Sequence, residues 1–326
     1  MIIFYFITWC GKNNTQVYKA IYDIEQNLDS LEENKEISAL FNLIDDPDEE
    51  VYMTISDKII SFGKEIIPNL ENLWEVTSNE NIQERIELLI HTLHFKELGD
   101  DFTNWKDTEG DILSGAILCA RYHYPEMNIS SVKQEIEKIR KNIWLELNNY
   151  LTPLEQINVI TSILYNYFKL KGTETAYHHP EHFLINRTLE TKTGNSISNG
   201  IIYLIIAELL DLPIHAVNIP RQFLLAYFEP NYDFTGLAEN ANPDKILFFI
   251  DSLNGQVYSH TDVENYFKRI GVTPSSSYYK KMDNTKTIQV LLKELSKCFD
   301  NDLNKYKMHE LEFIIDLIDS KKQGNS

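Results

Sequence analysis

The chain contains 326 residues, of which 43% are hydrophobic and 24% are charged, a balance typical of a folded protein with a sizeable core and more than one domain. Its formal net charge is −19, which opposes binding to nucleic acid or to an anionic membrane because both require clustered Lys and Arg. We therefore expect neither nucleic acid nor a membrane among its partners.

The three cysteines, Cys10, Cys119 and Cys298, lie far apart and form no CxxC motif. This sparse, odd number argues against a disulfide framework and favours a reducing compartment. Residues 1–10 are apolar but too few to span a bilayer, and no basic residue precedes them. The sequence predicts a cytoplasmic protein with an N-terminal extension at residues 1–36. A membrane tether at this end is the alternative.

Residues 37–110 show the pattern of a helical bundle. The run Asp45-Asp46-Pro47-Asp48 breaks one amphipathic segment and supplies a cap for the next. Val51, Ile55 and Ile59 then share one helix face, and Gly63 ends that helix. Short helices in antiparallel pairs resemble a HEAT-type repeat, here about one and a half units, which is too few for a free-standing solenoid. We expect this bundle to pack on the domain that comes after it in the chain.

Three helical patterns follow between Asp111 and Leu170. The first is apolar and rich in small residues, and Cys119 within it is interpreted as a buried structural thiol rather than a nucleophile. The second is a long amphipathic helix from Ser131 to Leu151. The third begins at Thr152-Pro153-Leu154-Glu155, which combines a capping box with a proline in the first turn.

Beyond Leu170 the pattern changes to a buried helix followed by strands. The segment from Asn199 to Leu210 is almost entirely apolar, so we expect a helix buried on most sides. A polar insertion at 231–244 separates the second strand from the third. A helix followed by a small antiparallel sheet predicts an α+β core. The expected strands are Ile214–Ile219, Phe223–Phe228 and Ile246–Asp251.

The order of these elements is that of papain-like and transglutaminase-like cores. In such cores a cysteine begins the helix, where the helix dipole favours the thiolate. A histidine on the next strand is the base, and an aspartate on the strand after it orients the histidine.

Ordered blocks of this sequence resemble the SirB-type branch of the transglutaminase-like superfamily. The resemblance covers roughly residues 111–271 and rests on three blocks, Gly194–Pro213, Val217–Ala226 and Phe249–Gly255. It implies an α+β fold: a HEAT-like helical bundle at 37–110, a papain-like or transglutaminase-like core at 111–271 with a small antiparallel sheet, and a helical C-terminal tail at 272–326.

The same resemblance implies that two of the three catalytic positions are replaced. The cysteine position falls on Ser196, with Ser198 as the alternative, and the histidine position falls on Gln222, whereas Asp251 is retained. A serine hydroxyl is a poor nucleophile without a base, and a glutamine side chain does not titrate near neutral pH. Base catalysis typically contributes ~10²- to 10⁴-fold, so we expect no cysteine-type acyl transfer.

Other residues near these blocks are candidates for binding or for a substitute base. Asn195, Tyr203, Arg221 and His215 are candidates for the lining of the old cleft, and His215 is also a possible alternative base. The loop His178-His179-Pro180-Glu181-His182 carries three imidazoles that together can bind a metal. Because no matching Asp or Cys cluster accompanies them, we expect a capped loop, no metal and no cofactor.

The predicted tail ends in two helices between Ile288 and Ile318, which resemble a TPR pair only loosely. Helical pairs on both sides of a core without its catalytic residues suggest docking surfaces. The favoured function is a catalytically inactive protein-interaction or regulatory module with an unidentified protein partner. Two alternatives stay open: a hydrolase or amidase using Ser196 or Ser198 with a non-standard base, and a small-molecule or peptide binder.

Overall fold

The computed structural model describes residues 35–230, 243–301 and 304–319. The apolar residues 1–10, most of the predicted extension at 1–36, and residues 231–242 of the polar insertion lie outside the described residues. The chain divides into two compact units between Glu97 and Leu98.

The first unit is helical, as the sequence predicts for this region. Asp48 caps a helix with its side chain, which accepts a hydrogen bond from the Glu50 N–H, and Gly63 follows the helix with a φ of 73°. A left-handed residue just past a helix is the position at which glycine is favoured. Isoleucine and leucine side chains from all the helices of this unit form one core. The helices are α1 (residues 35–41), α2 (Glu49–Ser61), α3 (Ile67–Val76) and the first part of α4 (Glu80–Asp107).

The second unit combines helices with two small sheets, so the predicted α+β class is confirmed. Its helices include α5 (Ile112–His123), α6 (Ile129–Glu146), α7 (Pro153–Thr161), α8 (Ile185–Thr191), α9 (Ser196–Leu209), α10 (His260–Ile270), α11 (Asn284–Ser296) and α12 (Lys305–Leu317). Its strands are β1 (Lys171–Gly172), β2 (Thr193–Gly194), β3 (Ile214–Val217), β4 (Leu224–Phe228), β5 (Ile246–Asp251) and β6 (Gln256–Tyr258).

The start of α7 follows the predicted capping box. The Thr152 side chain accepts from the Glu155 N–H, and the Glu155 carboxylate accepts from the Thr152 N–H. The α-helix ends at Thr161, and a π-helical turn over Ser162–Tyr167 extends the helical segment to within three residues of the predicted end near Leu170. Such wide turns often occur inside helices at functional sites. Here the turn contains Tyr165, whose hydroxyl donates to the carbonyl oxygen of Ser252, beside the end of β5.

The larger sheet is an antiparallel meander in the order β3-β4-β5-β6. Strand β6 was not predicted, because three residues give too short a pattern to detect. It follows the Asn254-Gly255 turn, where Gly255 has a φ of 76°. The hairpin pairs Asp251 with Gln256 and Phe249 with Tyr258. This register brings Tyr258 to the same end of the sheet as Asp251.

Helix α9 is the centre of the second unit. Every residue from Ile197 to Ala207 is buried, and α5, α6, α8 and strands β3 and β4 pack around it. Gly200 allows α9 to pack closely on the residue before β4, because a Cβ at this position would lie 2.5 Å from the Phe223 ring. Helix α11 packs on α5 and α12. None of the helices in the described ranges is long and apolar enough to cross a bilayer.

The cap of α9 should contribute more to stability than an exposed cap. The Asn195 side chain accepts hydrogen bonds from two buried backbone N–H groups. The Asn128 side chain, which caps α6 at an exposed position, accepts a hydrogen bond from one. We expect Asn195→Ala to lower the free energy of unfolding by about 1–2 kcal/mol, and Asn128→Ala by about half as much. Urea unfolding followed by circular dichroism measures both, and equal losses would contradict the greater role of the buried cap.

Candidate functional site

Ser196 occupies the first position of α9, so the helix begins three residues before the predicted start at Asn199. The helix begins there because the Asn195 side chain accepts from the N–H groups of Ile197 at 2.9 Å and Ser198 at 3.1 Å. The Ser196 carbonyl oxygen accepts a hydrogen bond from the buried hydroxyl of Ser252. The Ser196 residue itself is half-buried and lines an open cavity.

Ser198, the alternative nucleophile position, is placed differently. Its side chain is only 2% exposed, and its hydroxyl donates to the carbonyl oxygen of His182 at 2.7 Å. A hydroxyl that is buried and already donating to a backbone carbonyl has a structural role. Ser196 is therefore the serine that faces a possible ligand.

Gln222 follows a tight turn between β3 and β4. Its N–H donates to the carbonyl oxygen of Ile219 at 3.2 Å, and Arg221 has a φ of 62°. Proline at the second position and a positive φ at the third are the pattern of a type II turn. The turn leaves the Gln222 side chain exposed, and the Tyr266 hydroxyl donates to the carbonyl oxygen of Pro220 in the same turn at 2.9 Å.

Asp251 ends β5, and both of its carboxylate oxygens have partners. Oδ1 accepts from the Leu253 N–H at 2.9 Å, and Oδ2 accepts from the Tyr258 hydroxyl at 3.2 Å. Burial and the negative charge of Asp251 together raise the pKa of Tyr258 above its ordinary value. The carboxylate thus orients its own hairpin.

Two cavities meet at Gln222. One, of about 500 Å³, is lined among others by Ser196, Arg221, Gln222, Lys293, Glu294 and Lys297. The other, of about 460 Å³, is lined among others by Gln222, Asp251, Tyr258, Tyr266 and Arg269. Ser196 and Asp251 therefore belong to different cavities, and Gln222 is the residue that the two linings share.

No histidine shares a cavity with Ser196 in the part of the chain that the structure describes. Neither cavity has a histidine in its lining. Cys119 is fully buried, as predicted, and burial raises the pKa of its thiol. Burial and nearby carboxylates raise the pKa of Cys298 to about 12, so this thiol is not an activated nucleophile either.

The structure places the remaining candidate residues apart from Ser196. His215 lines a separate cavity of about 90 Å³. Tyr203 is fully buried in the core, with its hydroxyl 3.4 Å from the Thr161 hydroxyl. Neither residue lines the two larger cavities at Gln222.

The three loop imidazoles lie side by side with their rings tilted relative to one another. The ring centroids of His178 and His179 are 4.3 Å apart, and those of His179 and His182 are 5.0 Å apart. His179 also contacts the Glu181 carboxylate at 2.8 Å. Within the described ranges, no cluster of three or more His, Cys, Asp or Glu side chains has the arrangement of a metal site.

Several residues of the cleft were not singled out from the sequence. Tyr177, Lys293, Glu294 and Lys297 line the cavity of Ser196, although the last three lie on or just after α11, about 100 residues further along the chain. No local pattern marks such long-range neighbours. Tyr258 is different, since the Asn254-Gly255 turn signal could have been used to expect a hairpin that returns the chain toward Asp251, although we predicted only the turn.

Comparison with known proteins identifies the family. A family model described as the transglutaminase-like superfamily matches residues 130–293. This match spans half of the chain and includes α9, the larger sheet and most of α11. The chain belongs to the transglutaminase-like superfamily.

Individual relatives are distant. The UPF0162 protein YchA of Escherichia coli is 23% identical over 185 residues, which are 56% of this chain and 64% of YchA. A UPF0162 protein of Xylella fastidiosa is 27% identical over 118 residues, 35% of this chain and 41% of that protein. The mouse F-box only protein 21 is 32% identical over 71 residues, 22% of this chain and 11% of that protein.

The chain thus matches less than two thirds of the length of these relatives. No solved structure matches it.

His215 should make stability depend on pH. Burial, with a smaller contribution from Lys281, lowers its pKa from 6.5 to about 4. The unfolded chain therefore takes up a proton first as pH falls, and stability is lost between about pH 6.5 and 4. From pH 7.5 to 5 we expect a loss of about 2 kcal/mol from this group.

Urea unfolding of His215→Asn at both pH values tests this expectation. Between pH 7.5 and 5, the free energy of unfolding of the variant should fall by about 2 kcal/mol less than that of the wild type. His309→Asn removes an exposed imidazole beside Glu312 and serves as the matched control. An identical pH dependence in wild type and His215→Asn would contradict the assignment.

Proposed function

We propose that this chain is a catalytically inactive member of the superfamily that acts by binding, as an interaction or regulatory module with a protein partner. The observation that carries the proposal is the position of Gln222. It stands where the resemblance places the base, and it lines the same cavity as Ser196.

The chemistry of the three positions supports inactivity. An unactivated serine hydroxyl remains protonated near neutral pH and attacks a carbonyl only slowly. The Gln222 amide can donate or accept a hydrogen bond but does not remove a proton. Asp251 is held by Leu253 and Tyr258, so its carboxylate is used within its own hairpin.

The geometry around the site supports a binding role. Two cavities of about 500 and 460 Å³ remain open around Gln222, within the range of roughly 300–1,000 Å³ typical of ligand sites. The flanking helices α11 and α12 offer further surface, and Phe313 on α12 is 55% exposed.

Two finer assignments belong to the same proposal. We place the chain in the SirB-type branch, which the blocks at Gly194–Pro213 and Phe249–Gly255 support. We also place it in the cytoplasm, since both described cysteines, Cys119 and Cys298, are free thiols and the acidic composition suits that compartment.

A serine-reactive fluorophosphonate probe tests inactivity. We expect the wild type to be labelled no faster than Ser196→Ala, because no base removes the proton of the Ser196 hydroxyl. Ser198→Ala, which alters a buried hydroxyl, is the control for indirect effects. In-gel fluorescence and mass spectrometry of the labelled peptide give the readout. Labelling of the wild type that disappears only in Ser196→Ala would establish a serine hydrolase instead.

A further inference from the structure

The cavity of Ser196 has a positive lining in a strongly acidic chain. Arg221, Lys293 and Lys297 all face it, although the chain carries a net charge of −19. Glu294 is the one carboxylate in this lining. It is already satisfied, because it accepts from the Lys297 ammonium and the Tyr177 hydroxyl, each at 2.7 Å.

Two of the three cations remain without a counter-charge. In the described ranges of the chain, neither Arg221 nor Lys293 forms an ion pair. They come from different elements, since Arg221 lies in the β3–β4 turn and Lys293 on α11. Two cations without an ion-pair partner, brought to one cavity by different elements, can together attract an anion.

Arg221 adopts a backbone conformation that favours glycine. Its φ of 62° lies in the left-handed region, which is unfavourable for residues with a Cβ. A non-glycine residue held in such a conformation suggests a functional constraint on its side chain. The backbone conformation of Arg221 is an observation separate from the positive charge of the cavity. Glycine would make the same turn without strain, so the turn itself does not require arginine.

The helix beneath the cavity adds to the positive potential. Ser196 begins α9, a helix of 14 residues, and the aligned peptide dipoles place partial positive charge at this end. Ser196 also contributes a hydroxyl to the lining. The charged group of a ligand lying here would be attracted by the helix terminus as well as by the two side chains.

Much of the remaining lining of the cavity is apolar. Its apolar members are Ile197, Val217, Ile219, Phe223, Met282 and Val290. An inorganic anion would leave this surface uncovered, whereas an organic anion would bury it and gain about 25 cal/mol per Å² of apolar contact.

We propose that this cavity binds a small organic anion. Its charged group lies between Arg221 and Lys293 above the N-terminus of α9, and its apolar part lies on Val217, Ile219 and Phe223. This inference rests on the proposed function, in which the chain acts by binding and not by catalysis, and it assigns a small-molecule ligand to the cavity of Ser196. It goes further by naming the ligand class.

Three probe molecules separate the contributions. Hexanoate carries both the charge and the apolar chain, 1-hexanol carries only the chain, and inorganic phosphate carries only the charge. Each is titrated into the full chain at constant ionic strength, while the methyl resonances of Ile197 and Ile219 are followed by NMR. We expect hexanoate to bind at least tenfold more tightly than either of the other two.

A pair of variants tests the role of Arg221. Arg221→Gly removes the cation and relieves the left-handed strain, so it should weaken hexanoate binding about tenfold while unfolding at the same or a higher urea concentration. Lys169→Gly is the matched control, because Lys169 is also left-handed, with a φ of 61°, and lies outside the cavity. It should leave the hexanoate affinity unchanged within about twofold.

Each other outcome overturns the inference. If hexanol binds as well as hexanoate, the site is simply apolar, and if phosphate binds best, the ligand class is wrong. If Lys169→Gly weakens binding as much as Arg221→Gly, the effect is one of overall charge. The absence of any hexanoate-dependent shift also rejects the site. None of these results changes the fluorophosphonate outcome, so the proposed inactivity stands or falls separately.

Discussion

Buried hydrogen bonds from three side chains hold the first turn of α9, and the rest of the site depends on these bonds. The Asn195 side chain caps the helix, the Ser198 hydroxyl donates to the His182 carbonyl, and the Ser252 hydroxyl donates to the Ser196 carbonyl. These bonds tie the helix to the loop before it and to the end of β5. They fix the position of Ser196 whether or not its side chain reacts, because all of them use other atoms.

This separation between support and chemistry is compatible with the inactivity that we propose, because the hydrogen bonds that hold the fold do not require a Cys–His pair. Gln222 lies in a turn whose closing bond uses its backbone N–H, so the turn does not require a histidine side chain. Asp251 retains a role because its carboxylate accepts from Leu253 and Tyr258. A buried or half-buried carboxylate with two donors stabilises its hairpin, which gives a reason for its presence independent of catalysis.

Much of the fold follows from local pattern, and much of the cleft does not. Three elements could be predicted from residues that are adjacent in the sequence, and the structure contains all of them. They are the capping box at Thr152, the apolar helix after Asn195 and the strand ending at Asp251. The π-helical turn at Ser162–Tyr167 has no local signature, because it depends on contacts between Tyr165 and the distant Ser252. Lys293 and Lys297 likewise reach the cavity of Ser196 because of the way α11 packs on α5. This long-range packing cannot be predicted from a short segment of the sequence.

Introducing a Cys–His pair at positions 196 and 222 tests the central claim most directly. Ser196→Cys alone introduces a thiol at the helix start, and Ser196→Cys with Gln222→His adds an imidazole where the base is inferred to have been. The rate of iodoacetamide alkylation at position 196, resolved by peptide mass spectrometry, is measured against pH in both variants. If the two positions face one another, the double variant should react about tenfold faster near pH 6, because the imidazolium stabilises the thiolate. Identical pH profiles for the single and double variants would contradict the assignment of Ser196 and Gln222 to the catalytic positions.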